Sequence, residues 1–305
     1  MKYYIELFQI FKRKAKNRLE KIYAGVMNIF GRKKLIFYWQ KEFLEYFSNN
    51  DTNEKLNNLK QGLDEISIQY IDDFMKNSKN WNRYIPSMEE KSWSLYDKKL
   101  FSLSDEGFIQ PFEEIIKIDP IMYQTIYGMK DVPNLIELVN GRDVVDAGGY
   151  LGDTAYIFSN KFPSSNIFVY EPLKRNAEKI LCVKKKLKSD KITVIPKGLG
   201  DKKENIEIKF NYTENAEITT LDEDYKGNNL GLIKADTEGF ETKIIKGAKN
   251  LIRTQKPILA IAMYHTPKDF FELKDEILKL NPEYKFMVRR SEFVIPTADL
   301  VLIAY

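Results

Sequence analysis

Cysteine, histidine and long apolar runs are what this 305-residue chain has least of, and each scarcity closes a class of explanation. The single cysteine, Cys182, has no partner for an intramolecular disulfide. That sets aside the disulfide scaffolds and makes the cytoplasm the default compartment, because a secreted protein of this size more often carries paired cysteines. The longest apolar stretches, such as Leu35 to Trp39 and Ile258 to Tyr264, fall far short of the ~20 residues that span a bilayer. A secretory leader needs an apolar core of ~7–15 residues after its basic start, and Lys12, Arg13, Lys14 and Lys16 interrupt any such core, so the N-terminus is expected to stay on the mature protein. An excess of one charge is also missing. The 48 Lys and Arg against 44 Asp and Glu leave +4, too near balance for a protein that coats nucleic acid, and no nucleic-acid partner is expected. What remains, 43% hydrophobic and 30% charged, is an ordinary globular composition, long enough for about two domains of ~150 residues.

The charge is unevenly spread. Residues 1–40 hold ten basic side chains and two acidic ones, a net +8, so the other 265 residues sum to −4. Within that basic stretch Tyr4, Phe8, Phe11, Ala15, Leu19, Ile22, Val26 and Ile29 recur at steps of three and four, the period of a helix with one apolar face. Such a stripe suits either peripheral attachment to the inner face of the membrane, with lysines on anionic lipid, or packing against a neighbouring helix or a second subunit in a homo-oligomer; packing is the commoner use. A second stripe, Leu56, Leu59, Leu63, Ile66, Tyr70 and Phe74, follows the polar break at residues 48–51. Residues 79–119 show little periodicity. The first region, residues 1–118, therefore reads as basic and mainly helical.

From Asp143 onward the texture changes, and residues 119–305 form the second region. Short Val/Ile-rich runs at 143–147, 167–171, 192–196, 230–236, 258–264, 284–289 and 300–305 alternate with amphipathic stretches at 154–161, 174–187, 241–253 and 267–280. That alternation marks βαβ units and predicts an α/β fold with one open, doubly wound, mostly parallel sheet of seven strands.

The first of these strands ends in Asp146-Ala147-Gly148-Gly149-Tyr150-Leu151-Gly152-Asp153-Thr154. Glycines at a strand-to-helix turn let backbone approach a ligand closely. A dinucleotide site uses Gly-x-Gly-x-x-Gly to seat pyrophosphate on the helix N-terminus, and this spacing is absent. Asp146, just before the first glycine, would repel a phosphate and attract the ammonium of a methionyl group; S-adenosylmethionine carries that ammonium and no phosphate. Glu171, at the end of the second strand, can accept hydrogen bonds from both ribose hydroxyls, a role shared with dinucleotide folds.

Three stretches resemble the FkbM family of S-adenosylmethionine-dependent methyltransferases: the glycine turn 146–154, Tyr170-Glu171-Pro172, and Thr219-Thr220-Leu221-Asp222 followed by Ile233-Lys234-Ala235-Asp236-Thr237-Glu238-Gly239-Phe240-Glu241 and Lys246-Gly247-Ala248. The third is the most specific. The resemblance covers residues 120–305 and implies a Rossmann-like class I methyltransferase fold. It also implies a donor site built from Asp146, Gly148, Gly149, Tyr150, Gly152, Asp153, Thr154, Glu171, Pro172 and Asp236, with the Lys197-Gly198-Leu199-Gly200 turn bordering the adenine. The glycine turn departs from the family's usual Gly-Ala-Asn, and Tyr150 has its backbone to offer where Asn adds a side-chain hydrogen bond. Methyl transfer to oxygen is implied, commonly on a sugar or polyketide hydroxyl, here during capsule, lipooligosaccharide or related bacterial surface-glycan synthesis. The acceptor would be a carbohydrate or nucleotide sugar.

In an open α/β sheet, ligands gather at the carboxyl ends of the strands. The fourth and fifth predicted strands bring Asp236, Glu238 and His265 to that edge as the catalytic candidates. The only histidine of the chain, His265, has an imidazole that ordinarily titrates near neutrality and could take the proton of an acceptor hydroxyl; its blander role is a hydrogen bond at a strand end. Asp236 and Glu238 could instead hold Mg²⁺, although no metal is expected as a requirement. Tyr123 and Tyr127, with Trp81, Trp93 and Tyr96 upstream, either line the acceptor site or pack in the core. Three other readings compete: a phosphate or phosphoramidate oxygen as acceptor, a dinucleotide-dependent sugar oxidoreductase, and a glycan-assembly scaffold without turnover.

Overall fold

The computed structural model describes residues 38–79, 109–112, 115–209, 213–292 and 298–305. The basic stripe at 4–29 and the aromatic residues Trp81, Trp93 and Tyr96 lie outside these. Among the described residues no helix is long and apolar enough to cross a membrane. The described residues begin with three helices, α1 (Tyr38–Asn49), α2 (Asn53–Lys60) and α3 (Glu65–Lys79), and a hairpin of β1 (Ile109–Phe112) and β2 (Ile116–Ile118). The second predicted stripe is thus two helices rather than one. Gly62, at φ 75°, turns the chain between them.

Two short helices follow, α4 (Pro120–Thr125) and α5 (Leu135–Val139), with a 3-10 turn at Met129–Asp131 between them. Asp119 caps α4, accepting from the Ile121 N–H at 2.8 Å, and Pro120 fits the first helical position because that site needs no donor. The remaining elements are β3 (Asp143–Ala147), α6 (Asp153–Lys161), β4 (Ile167–Tyr170), α7 (Lys174–Leu187), β5 (Ile192–Ile195), β6 (Gly198–Leu199), β7 (Glu204–Lys209), β8 (Thr213–Thr219) and α8 (Leu221–Asp224). They continue through β9 (Leu230–Ala235), α9 (Glu241–Gly247), α10 (Lys249–Gln255), β10 (Ile258–Ala262), α11 (Pro267–Leu280), β11 (Phe286–Arg290) and β12 (Leu300–Ala304).

Seven strands pair in the order β11-β12-β10-β9-β3-β4-β5; β12 runs antiparallel to both neighbours and every other pairing is parallel. The order reverses between β3 and β9, which is the topological switch point. Each of the seven predicted runs became one of these strands, because a strand covered on both faces must be a continuous apolar run. On one face α4 to α7 pack through Met122, Val139, Phe158 and Ile180; on the other α9 to α11 pack through Ile245, Ile252 and Phe270. The N-terminal helices join this second face. Phe74 stacks on Phe270 with ring centroids 4.6 Å apart, and Phe43 meets both edge-on at 5.1 and 5.7 Å.

Two features differ from the expectation. The stretch 241–253 is two helices, since Gly247 lies so close to the Gly200 carbonyl that a Cβ there would stand 1.9 Å from its oxygen, and the chain bends at this point. A small second sheet, β6-β8-β7, accompanies the main one. Its hairpin pairs Glu204 to Lys209 with Thr213 to Thr219, where single apolar residues alternate with charged ones and no run signals a strand.

Candidate functional site

The glycine turn and the Asp236-Thr237-Glu238-Gly239 loop meet at the carboxyl edge of the sheet. The Asp236 N–H donates to the Ala147 carbonyl at 3.1 Å, and a Cβ on Gly148 would stand 2.0 Å from the Asp236 carbonyl oxygen. The glycines therefore serve close packing within the protein. Gly149 abuts Val169 and Gly152 abuts Val183, while Gly148 and Gly152 also need their left-handed φ of 78° and 88°. Tyr150, at φ 49°, directs its N–H to Glu171 Oε2 at 2.8 Å, so the turn and the end of β4 are joined directly.

The structure corrects the role expected of Asp146. Its side chain has no exposed surface: Thr154 donates to Oδ2 at 2.6 Å, and the buried Lys234 ammonium lies 3.0 Å from Oδ1. The charge meant for a ligand's ammonium is already balanced from within, because a carboxylate buried without a counter-charge would be too costly. Lys234 also donates to the Gly148 carbonyl at 2.9 Å, bracing the turn from beneath. The Lys234 ammonium is held above its ordinary range: burial works against the charge, and Asp146 and Asp236 outweigh it.

Glu171 is buried, with Oε1 accepting the Leu173 N–H at 3.0 Å. Burial pushes its carboxyl up to about 7, against the opposing pull of the Leu173 N–H, Asn176 and Lys234. Asp153 starts α6 and accepts from the Thr154 N–H at 2.9 Å, and Pro172 packs beside Gly198. The turn expected to border the adenine is partly a strand. Gly198 and Leu199 are buried as β6, paired with Ile218 and Thr219, and Lys197 is held by Asp224 at 3.0 Å and Glu217 at 3.2 Å.

His265 is fully buried, and the Nδ1–H lies 3.0 Å from Glu241 Oε1, while Nε2 lies 3.4 Å from Asp236 Oδ1 and 3.7 Å from Glu238 Oε2. Burial alone would lower its basicity, but the three carboxylates, Glu241 foremost, raise it to about 10. These contacts favour the protonated ring, and a ring held on its proton and closed off from solvent is poorly placed for the general-base role expected of His265. His265 faces Asp236 as a buried ring whose positive form the surrounding carboxylates favour.

Sequence reasoning passed over the residue that makes this so. Glu241, the first residue of α9, is fully buried and accepts from the Thr237 N–H at 2.6 Å and the Gly239 N–H at 3.0 Å, closing the loop whose Glu238 and Gly239 take φ of 62° and 107°. His265 and these N–H donors hold its carboxyl below the ordinary range despite burial. It stood in the quoted motif; only its contact with His265, 24 residues on, reveals the role. Among the described residues, Asp236, Glu241 and His265 also form a group with metal-ligand spacing, yet Glu241 is engaged by the loop and by the His265 ring. Of the expected aromatic pair, Tyr127 reaches the site, its hydroxyl donating to Asp236 Oδ2 at 2.8 Å, and Tyr123 packs away from it against Tyr156 and Lys161. The catalytic candidates left facing outward are Asp236, its side chain 29% exposed, and Glu238, 67% exposed.

Sheet order, switch-point turn and acidic edge define a Rossmann-like class I methyltransferase fold. The crystal structure of methyltransferase FkbM from Methylobacillus flagellatus KT shares it with TM-score 0.64 and 20% identity, over 92% of this chain and 65% of that one. The chain therefore spans about two thirds of that relative's length. Precorrin-6y C5,15-methyltransferase from Geobacter metallireducens GS-15 and Aeropyrum pernix fibrillarin with bound S-adenosylmethionine align less well, both with TM-score 0.41, at 15% and 13% identity over 66% and 60% of this chain and 95% and 76% of theirs. No curated protein is similar enough in sequence to match.

Residues 146–288 match the methyltransferase FkbM domain, so this segment of the chain is an FkbM-type methyltransferase domain. The cofactor of such a domain is S-adenosylmethionine, and the residues present fit it. Lys234 is spent on Asp146 and His265 on Glu241, so the edge beside the turn presents carboxylates, which suit a cationic sulfonium and oppose a pyrophosphate. Tyr150, Glu171 and the glycine turn would hold it.

Proposed function

We propose that this protein transfers a methyl group from S-adenosylmethionine to a hydroxyl of a sugar, in the assembly of a bacterial surface glycan. One observation carries the reading: the Asp236 carboxylate, partly open to solvent, abuts the glycine turn while the buried His265 ring faces it at 3.4 Å. When bound, the donor supplies an electrophilic methyl on sulfur and leaves as neutral S-adenosylhomocysteine. Asp236 accepts the hydroxyl proton as the O–CH₃ bond forms and the S–CH₃ bond breaks, and passes it to water. Glu238 lines the acceptor side. Positioning supplies most of the acceleration in such a displacement, and proton removal contributes ~10²–10⁴. An edge rich in carboxylates supports a hydroxyl-bearing carbohydrate over a phosphate or phosphoramidate acceptor, which it would repel.

The test is to incubate the full chain with the methylated donor and a panel of methyl glycosides, free sugars and nucleotide sugars, following S-adenosylhomocysteine release and the mass of the acceptor. A one-methyl mass gain on a sugar oxygen is expected. Donor turnover that never exceeds its rate without acceptor, or methylation on phosphate, would overturn the reading. Asp236→Asn should lower turnover by ~10²-fold or more with S-adenosylhomocysteine affinity nearly unchanged.

A further inference from the structure

One side chain reaches the site from the chain that precedes the seven-stranded sheet. After α4, Ile126 and Tyr127 take φ of 54° and 57°, followed by Gly128 at 86°. Left-handed backbone costs a non-glycine residue about 1–3 kcal/mol, and it suits a β-branched residue such as Ile126 least. The surroundings hold the turn there. The Tyr127 N–H donates to Met122 O at 2.9 Å, the Gly128 N–H to Thr125 Oγ1 at 3.0 Å, and Gly128 lies against β11 with Arg289 Cβ 3.3 Å from where its own Cβ would be. Three residues on, Asp131 accepts from Arg289 Nε at 2.7 Å, and the same guanidinium binds Asp64 at the start of α3. The outcome of this strain is the placement of Tyr127, 2% exposed, with its hydroxyl on Asp236 Oδ2.

We propose that Tyr127 is a positioning residue for the proton acceptor of methyl transfer: its hydroxyl pins Oδ2 of Asp236 and fixes the rotamer of a carboxylate that could otherwise swing into solvent. This rests on the function proposed above. A tyrosine that only filled the core would need no hydroxyl bond to a partly exposed acid and no strained backbone to make one. The other groups around Asp236 are Lys234 on its own strand, Tyr264 and His265 after β10, Glu238 and Glu241 from the loop and α9, and Glu292 and Asp299 from the β11–β12 connection. Tyr127→Phe removes one donor and leaves all of these in place.

The experiment follows the Asp236 carboxyl carbon by NMR during pH titration of the full chain labelled at aspartate, with the resonance assigned through Asp236→Asn. In Tyr127→Phe the midpoint should rise by ~1 pH unit, the loss expected of a hydrogen bond to a charged group. With whichever acceptor supports turnover, kcat should fall ~10-fold or more, the acid limb of its pH profile should shift upward with the midpoint, and S-adenosylhomocysteine affinity should stay within about twofold. If Tyr127→Phe fails to fold, 3-fluorotyrosine placed at position 127, a stronger donor of nearly the same shape, should move the midpoint down. An unmoved midpoint in the folded variant overturns the positioning role even if the protein methylates sugars. A shifted midpoint in a protein that methylates none of the panel leaves the placement standing and removes the proposed function instead.

Discussion

At the scale of single residues, the site is governed by which charges are already matched. His265 gains its proton from Glu241, so its charge stabilises the fold fully below its ordinary value of 6.5, and that stability is lost as pH rises through about 10. Urea unfolding of the wild type at pH 6, 8 and 10 should show this decline, and His265→Gln should flatten it while costing ~3–5 kcal/mol at pH 6 by stranding Glu241. A steep pH dependence persisting in the variant would mean that another group is responsible. Glu171 behaves in the opposite sense. With its carboxyl near 7, the ionised form proposed to accept the ribose hydroxyls is scarce at pH 6, so S-adenosylhomocysteine affinity should rise about tenfold from pH 6 to 8 by calorimetry. Glu171→Gln should bind weakly and without that slope. Asp236, Glu238, Glu171 and His265 were all legible as strand-end residues, since a strand's last side chains face the ligand edge whatever the rest of the chain does. Their charge states were not. Lys234 beneath Asp146 and Glu241 beside His265 are matched through space, 88 and 24 residues away.

At the scale of elements, the glycine turn shows a limit of motif reading. Its spacing announced a ligand, and the structure shows that each glycine also answers to a neighbouring element. Gly149→Ala would drive a methyl into Val169 Cγ1, 2.1 Å from the new carbon. The variant should melt several degrees lower, and Val169→Ala in the same chain should restore part of the loss because it removes the atom that is struck. Gly148→Ala has no such remedy. It meets the Asp236 backbone at 2.0 Å in a left-handed conformation, so it should abolish S-adenosylhomocysteine binding and resist rescue by any side-chain trimming. The predicted helices at 174–187 and 267–280 match α7 and α11 because each presents one apolar face and has punctuated ends; Thr266 and Pro267 start the latter. The β7–β8 hairpin was hidden for the converse reason: with one face in water, its apolar residues never adjoin.

At the scale of the whole molecule, the N-terminal helices bear on the site without touching the donor turn. Phe43 and Phe74 complete the core on the α11 face, and Arg289 links Asp64 of α3's approach to Asp131 beside the Tyr127 turn. Phe74→Ala should cost ~3–5 kcal/mol and lower the single urea transition of the whole chain. Two separate transitions would show that the helices melt independently of the sheet.

The sequence alone determined the seven strands, their mostly parallel run and the edge at which ligands gather, since these follow from apolar periodicity and from the rule that strand ends meet ligands. Only the tertiary structure decided that Asp146 is paired internally, that His265 is buried between Glu241 and Asp236, and that Tyr127 reaches Asp236. A side chain's protonation and hydrogen bonds depend on neighbours brought close by folding, and no local pattern records which distant residue that will be.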